Sequence, residues 1–171
     1  MLRLAALAAI LPWARRTRAA PATEDPRELA FRNLHTGETI DVVYQADGEL
    51  DRGALREIDW VLRDFRTGQA RSIDLRLLDL LWRLRSALST TEPYEVISGY
   101  RSPETNAMLR REGRGVARGS LHVRAMAIDV RVPGRPLAAV RDTALALRVG
   151  GVGYYPASGF VHVDVGRVRF W

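Results

Sequence analysis

The chain has only three histidines, and two of them lie close in sequence to aspartates. Asp129 follows His122 by seven residues, and Asp164 follows His162 by two. Imidazole nitrogens and carboxylate oxygens are common zinc ligands, and the same pairing also serves in acid–base catalysis. These four residues are therefore the first candidates for a chemical site. The third histidine, His35, lies in the turn-prone segment "HTGE", and we interpret it as a turn residue.

The spacing of His122 and Asp129 restricts how they can share a metal ion. On a continuous helix they would lie about 10 Å apart along the axis, whereas a zinc ligand lies about 2 Å from the ion. On a continuous strand, an odd separation puts two side chains on opposite faces. A shared site therefore requires a turn between them, which we expect within "VRAM", at or near Ala125.

His162 and Asp164 are two residues apart in a predicted strand, so they share a face. Two imidazoles, one carboxylate and one open position are typical of a catalytic zinc site rather than a closed structural one. The spacing alone leaves an alternative open, in which His122 lies on the surface and never meets His162.

The composition limits the other classes of function. A chain of 171 residues with 47% apolar and 27% charged residues is typical of one soluble domain. The absence of cysteine excludes disulfides, thiolate zinc sites and cysteine nucleophiles. All 26 basic residues are arginine, but no basic or aromatic tract follows one predicted face, so the charge of +6 does not indicate nucleic-acid binding.

Residues 1–22 are typical of an export leader. An arginine precedes an apolar run that is too short to span a bilayer, and small residues follow near Ala22. Arginines after the apolar run are unusual for a signal peptide, so a disordered leader or a misplaced start remains an alternative. Cleavage near Ala22 would remove four arginines and no acidic residue, which lowers the formal charge from +6 to +2. We expect residues 23–171 to form a single domain without a membrane span.

The pattern along residues 23–171 favours an α+β fold. Two short strands are predicted around "HTGE", followed by a helix over residues 51–66 and a second helix from about Asp74 with a leucine stripe. After the short strand "YEVISG", Ser102 and Pro103 are typical of a helix start. A buried strand "AMAIDVRV", a helix over residues 136–149 and three short closing strands complete the pattern. The glycines of "GGVG" are expected to pack at a strand end near the site.

Three segments, "SGYRSPETN", "SLHVRAMAID" and "GGVGYYPASGFVHVDVG", resemble in order and separation the D-alanyl-D-alanine-type zinc peptidases. The closest resemblance is to the YcbK-like murein endopeptidase K group, and it extends over residues 27–171, including "HTGE" and "LRDFRTG". The resemblance implies a Hedgehog/DD-peptidase-like fold, in which helices pack on a small mixed or antiparallel sheet.

The resemblance also implies the roles of individual residues. Zinc would be held by His122, Asp129 and His162, and it would lower the pKa of a bound water to roughly 7. Arg101 and Ser120 would line the site. Arg101 could stabilise an oxyanion or clamp a carboxylate, or it could be a surface arginine at a helix start. Ser120 could bind substrate or cap its loop.

The sequence departs from the family pattern at two places. Ala125 stands where a glycine is usual, which matters through backbone strain if the residue has a positive φ, or through lost space for substrate. Many relatives carry a histidine or glutamate base two or three residues before the last zinc ligand, where this chain has Phe160 and Gly159. Asp164 is then the nearest acid–base candidate, although it could instead orient His162.

We therefore predict an exported zinc metallopeptidase, in the periplasm or cell envelope, that hydrolyses stem-peptide or cross-link bonds of peptidoglycan. Asp164 and Arg101 are the predicted catalytic residues, and Arg101 and Ser120 the predicted substrate-binding residues. The alternative is a non-catalytic module of the same fold that contains zinc and binds cell-wall peptides.

Overall fold

A computed structural model describes residues 25–113 and 115–171, so the predicted leader, residues 1–22, lies outside the described part of the chain. Within the described residues, four helices accompany eight strands. The helices are α1 Arg52–Val61, α2 Leu75–Ala87, α3 Pro103–Arg111 and α4 Leu137–Leu147. The strands are β1 Arg27–Asn33, β2 Thr39–Ala46, β3 Glu49–Leu50, β4 Tyr94–Ser98, β5 Ala127–Arg131, β6 Gly151–Tyr155, β7 Phe160–Asp164 and β8 Arg169–Phe170.

The strands form one mixed sheet in the order β3-β2-β1-β4-β5-β7-β6-β8. The pairs β1–β4 and β6–β8 are parallel, and the other neighbouring pairs are antiparallel. The predicted α+β class is confirmed. The sheet order places β5, β7 and β6 side by side, so residues far apart in sequence meet on one part of the sheet.

In the core, α1, α2 and α4 pack against the sheet, and α2 contributes the largest share of the helical residues. The predicted leucine stripe of this helix is buried in the main apolar cluster with residues from β1, β4, β5 and β7. Asp74 caps the helix by accepting a hydrogen bond from the Arg76 amide. The apolar side of α2 therefore supports the strands that carry the candidate site. None of the helices in the described residues is both long and apolar enough to cross a membrane.

Helix α1 ends at Val61, so the prediction of a helix over residues 51–66 was wrong at its C-terminal end. After Val61 the chain turns, and the Leu62 carbonyl accepts a hydrogen bond from the Tyr100 amide at 2.8 Å. The Asp64 carboxylate accepts one from the Ser102 amide, also at 2.8 Å. These bonds tie the end of α1 to the segment that carries Arg101, and they outweigh the local helical pattern.

Candidate metal centre

Strands β5 and β7 bring Asp129 and His162 together. The two residues are direct partners in the antiparallel ladder between these strands. Their side chains meet on one face of the sheet, with His162 Nδ1 2.8 Å from Asp129 Oδ1. A carboxylate and an imidazole 33 residues apart in sequence are therefore neighbours.

A short 3-10 turn, Leu121–Arg124, brings His122 to the same place. Ala125 follows it in the left-handed conformation, with φ of 54°, and β5 starts two residues later. The turn predicted near Ala125 is confirmed. It leaves His122 Nε2 3.3 Å from Asp129 Oδ1 and 3.2 Å from His162 Nδ1.

Each of the two rings makes a hydrogen bond on its side away from Asp129, and this bond determines which ring nitrogen presents a lone pair toward Asp129. His122 Nδ1 lies 2.8 Å from the Gly99 carbonyl oxygen, which can only accept, so Nδ1 carries the proton and Nε2 has a free lone pair. His162 Nε2 lies 3.1 Å from Asp164 Oδ2, which leaves Nδ1 with its lone pair.

Three acceptor atoms thus converge, and they lie within 4.8 Å of one another: His122 Nε2, Asp129 Oδ1 and His162 Nδ1. Converging acceptors repel unless a cation lies between them, and a metal ion satisfies all three at once. The donor set therefore fits a divalent metal. His35 lies outside this group, with its Nε2 3.0 Å from the Ile97 carbonyl oxygen.

Burial and neighbouring charges have opposing effects on the pKa of Asp129 and on that of His162. Burial alone would raise the pKa of Asp129, but a proton shared with the facing ring nitrogens of His122 and His162, which a bound metal ion would displace, holds that pKa well below its ordinary value. Burial lowers the pKa of His162, while the carboxylates of Asp129 and Asp164 raise it by more. The arrangement keeps the Asp129 carboxylate ionised, which is the form that binds a metal.

Asp164 is fully buried beneath His162 and does not line the pocket. Its carboxylate accepts hydrogen bonds from the Gly151 amide at 2.9 Å, the Gly166 amide at 2.8 Å and Arg169 Nη2 at 2.7 Å. Burial raises the pKa of Asp164, but the bonds from His162 and these donors outweigh it and hold the pKa well below the ordinary range. A Cβ at Gly151 would collide with this carboxylate. The glycines of "GGVG" thus pack closely near the site, as predicted.

A pocket of about 420 Å³ lies over the three converging atoms. Its described lining residues are Arg101, Gly115, Val116, Ala117, Gly119, Ser120, Leu121, His122, Asp129, Tyr155, Phe160, His162, Arg169 and Trp171. Every site residue predicted from the sequence except Asp164 is among them.

Arg101 is a largely buried cation beside the ligand group. Its side chain is 12% exposed, and Nη2 lies 3.9 Å from Asp129 Oδ2. Its backbone amide donates to the His122 carbonyl at 3.2 Å. Ser102, the next residue, caps α3 as predicted, with Oγ accepting from the Thr105 amide. Ser120 makes no side-chain capping hydrogen bond to its 3-10 turn, so its hydroxyl is not used to cap the loop.

Three aromatic residues of the pocket, Tyr155, Phe160 and Trp171, were missed from the sequence. Phe160 could have been found, because it lies two residues before His162 in the same strand and shares its face. Tyr155 could have followed from its pairing with Phe160 across the β6–β7 hairpin. Trp171 offered no comparable signal.

Three protein ligands beneath an open pocket are typical of a catalytic metal site in a hydrolase. Residues 21–171 match the model of an M15 peptidase family described as "Peptidoglycan L,D-endopeptidase MepK", and the chain belongs to this family. The family is consistent with the Hedgehog/DD-peptidase-like fold, and it confirms both the resemblance and the interpretation of the chain as a peptidase.

Curated relatives carry the same description. The chain is 44% identical over 151 residues to the "Probable peptidoglycan L,D-endopeptidase MepK" of Haemophilus influenzae, covering 88% of this chain and 81% of that protein. It is 43% identical over 150 residues to the "Peptidoglycan L,D-endopeptidase MepK" of Escherichia coli strain K12, covering 88% and 82% of the two chains.

Proposed function

We propose that the protein is a zinc-dependent L,D-endopeptidase that hydrolyses cross-linked stem peptides of peptidoglycan. The observation that carries this proposal is the convergence of His122 Nε2, Asp129 Oδ1 and His162 Nδ1 beneath an open pocket. The names of the relatives from Haemophilus influenzae and Escherichia coli supply the substrate and the type of bond.

Zinc is the metal that this donor set favours, since two imidazoles and one carboxylate leave a fourth position open in a tetrahedral site. Zinc held there supplies a Lewis acid for the scissile carbonyl and activates water at neutral pH. The Gly99 carbonyl and the Asp164 carboxylate hold the His122 and His162 rings in the tautomers that present bare nitrogens to the ion.

Arg101 is proposed to bind the oxygen of the scissile carbonyl as negative charge develops on it. The guanidinium lies beside Asp129 and is held in place by burial and by a 3.3 Å hydrogen bond to Ser98 Oγ. A fixed cation in a site with little water stabilises such charge more than a mobile surface arginine would. The Ser120 hydroxyl lines the same pocket and is proposed to hydrogen-bond the peptide.

Asp164 is proposed to be a positioning residue rather than the general base. Its carboxylate is fully buried, lies outside the pocket lining and accepts hydrogen bonds from His162, two backbone amides and Arg169. A carboxylate with a strongly lowered pKa and no exposed oxygen is a poor proton acceptor for substrate. These contacts support its second predicted role, which is to orient His162.

The proposal also implies that the chain is exported, since its substrate lies outside the cytoplasmic membrane. Residues 1–22 are the proposed leader. Fractionation of cells that express the protein with a C-terminal tag would test this, with a tagged cytoplasmic protein as the control. Retention of the full-length chain in the cytoplasm would contradict it.

Cleavage of defined muropeptides tests the activity itself. The zinc-loaded protein would be incubated with cross-linked dimers and with uncross-linked tetrapeptides, and mass spectrometry would identify the bond that breaks. We expect the dimers to be cleaved at the bond between an L-centre and a D-centre, and His162→Ala to be inactive. Binding of the dimers without cleavage by the wild-type protein would instead identify a non-catalytic binding module.

A further inference from the structure

An aromatic wall, formed by Tyr155, Phe160 and Trp171, lines the pocket beside the metal ligands. The rings of Tyr155 and Phe160 stack with centroids 4.6 Å apart and an angle of 22° between their planes. Trp171 Nε1 donates a hydrogen bond to the Tyr155 hydroxyl at 2.7 Å. The three side chains therefore form one continuous surface, and no role proposed above uses it.

The backbone fixes Trp171 in this wall. Its amide donates to the Val152 carbonyl at 3.2 Å, and its carbonyl accepts from the Tyr154 amide at 3.0 Å, so it extends the pairing of β8 with β6. Gly153, the ladder partner of His162, lies under the indole, and a Cβ there would come within 2.7 Å of Trp171 Cε2. Because Gly153 has no side chain, the indole fits over it, and the ring centroids of Trp171 and His162 lie 5.3 Å apart.

The side chains of the wall contact one another and are nevertheless exposed to solvent. Trp171 is 48% exposed and Tyr155 is 37% exposed, although each is held by stacking or hydrogen bonding. Exposed aromatic rings in a pocket provide apolar area for a ligand with little loss of conformational entropy. Val116, Ala117 and Leu121 add apolar surface to the same pocket.

We infer that the aromatic wall binds the polymethylene side chain of the diamino acid that forms the cross-link. This inference rests on the proposed function. Arg101 contacts Asp129, whereas the wall contacts His162. Arg169, the cation over the Trp171 ring, is paired with the buried Asp164 carboxylate, so the two flanks of the metal centre differ in chemistry. An unbranched run of methylenes fits the apolar flank, while the carboxylate and amide groups of the peptide fit the flank with the arginine.

Steady-state kinetics on two substrates tests the inference. One substrate is a cross-linked peptide dimer without sugar, and the other is the same dimer with its disaccharides. For the zinc-loaded Trp171→Ala variant, we expect KM to rise about tenfold on both substrates because apolar contact is lost. We expect kcat to change less than about threefold, zinc affinity to be unchanged, and Trp171→Phe to recover part of the loss.

Phe170→Ala is the matched control, since this neighbouring aromatic side chain is 79% exposed and does not line the pocket. Its KM should equal that of the wild type. An unchanged KM in Trp171→Ala would overturn the inference, as would a rise confined to the substrate with disaccharides, which would assign the wall to sugar. A loss of zinc affinity would overturn it too, since Trp171 would then support His162.

The inference can also be separated from the proposed function. If the wild-type protein cleaves neither dimer, the proposed function fails, and calorimetric binding of the sugar-free dimer still tests the wall. A dissociation constant about tenfold weaker in Trp171→Ala than in Phe170→Ala would support the inference. Equal constants would overturn it.

Discussion

The two sides of the metal centre are held in different ways. Asp129 and His162 lie on adjacent strands and are partners in an antiparallel ladder, so many backbone bonds fix their separation. His122 and Arg101 lie outside the strands, and a few separate hydrogen bonds hold them: from His122 Nδ1 to the Gly99 carbonyl, from the Arg101 amide to the His122 carbonyl and from Arg101 Nη2 to Ser98 Oγ. We call these the strand side and the loop side.

Substitutions on the two sides should therefore differ in how strongly they affect metal binding and the free energy of unfolding. On the strand side many backbone hydrogen bonds hold the strands in register, so a changed side chain beside the metal ligands should lower metal binding strongly without changing the fold. On the loop side each buried hydrogen bond has no substitute, so its loss should destabilise the protein and disturb the site only indirectly.

Asp164→Asn tests the strand side. It should weaken zinc binding about 10- to 100-fold, because an amide orients His162 less strongly than a carboxylate does. Competition with a chelator of known affinity measures this, and Asp142→Asn, at an exposed position on α4, is the control. Loss of cleavage with unchanged zinc affinity would contradict the positioning role and identify Asp164 as the proton acceptor.

Asp64→Asn tests the loop side, because the Asp64 carboxylate accepts a hydrogen bond from the amide of Ser102, the residue after Arg101. The Asn side chain cannot replace both oxygen acceptors for the Ser102 and Arg66 amides, so the free energy of unfolding should fall by about 1–3 kcal/mol. Denaturant unfolding measures this, with Asp41→Asn at an exposed position of β2 as the control. A loss of zinc affinity as large as that in Asp164→Asn would contradict the distinction between the two sides.

The pH dependence of the same variant gives an independent check. Burial raises the pKa of Asp64, but hydrogen bonds from Thr105 and Ser102 leave the net pKa below the ordinary value near 3.9. A lowered pKa means that the carboxylate stabilises the fold fully above the unfolded pKa, and that this stability is lost as pH falls through the folded pKa. The difference in unfolding free energy between the wild type and Asp64→Asn should therefore be constant near neutrality and shrink below about pH 4.

Ala125→Gly should have the smallest effect. Glycine relieves the positive φ by about 1 kcal/mol, but loss of the fully buried methyl group costs about 0.8 kcal/mol, so stability should change by less than about 1 kcal/mol. Ala125 does not line the pocket, so kcat/KM should stay within about twofold of the wild type. A severalfold gain in kcat/KM would show that the alanine obstructs substrate.

Part of the site could be predicted from the sequence because its signals are local, whereas the meeting of Asp129 with His162 was implied only by the family resemblance. Alternation along β7 puts His162 and Asp164 on one face, and the odd spacing from His122 to Asp129 requires the turn at Ala125. The residue types also indicated a metal before any contact was known. What the sequence left undecided was the role of Asp164, because its hydrogen bonds to Gly151, Gly166 and Arg169 come from other turns and strands.

The parts that could not be predicted depend on non-local pairing. Helix α1 ends early because Tyr100 and Ser102, far along the chain, bond to Leu62 and Asp64. Trp171 reaches the pocket because β8 pairs in parallel with β6, and no local pattern specifies that partner. Both features become visible only when the sheet order is known.

The zinc content of the purified protein tests the central claim most directly. After loading and dialysis, we expect about one zinc per chain in the wild type and in Phe170→Ala, since one site within residues 25–113 and 115–171 has the required three ligands. Asp129→Ala should hold far less zinc while keeping a native far-ultraviolet circular dichroism spectrum. A folded wild-type protein without zinc, or an Asp129→Ala variant with as much zinc as the wild type, would contradict the account.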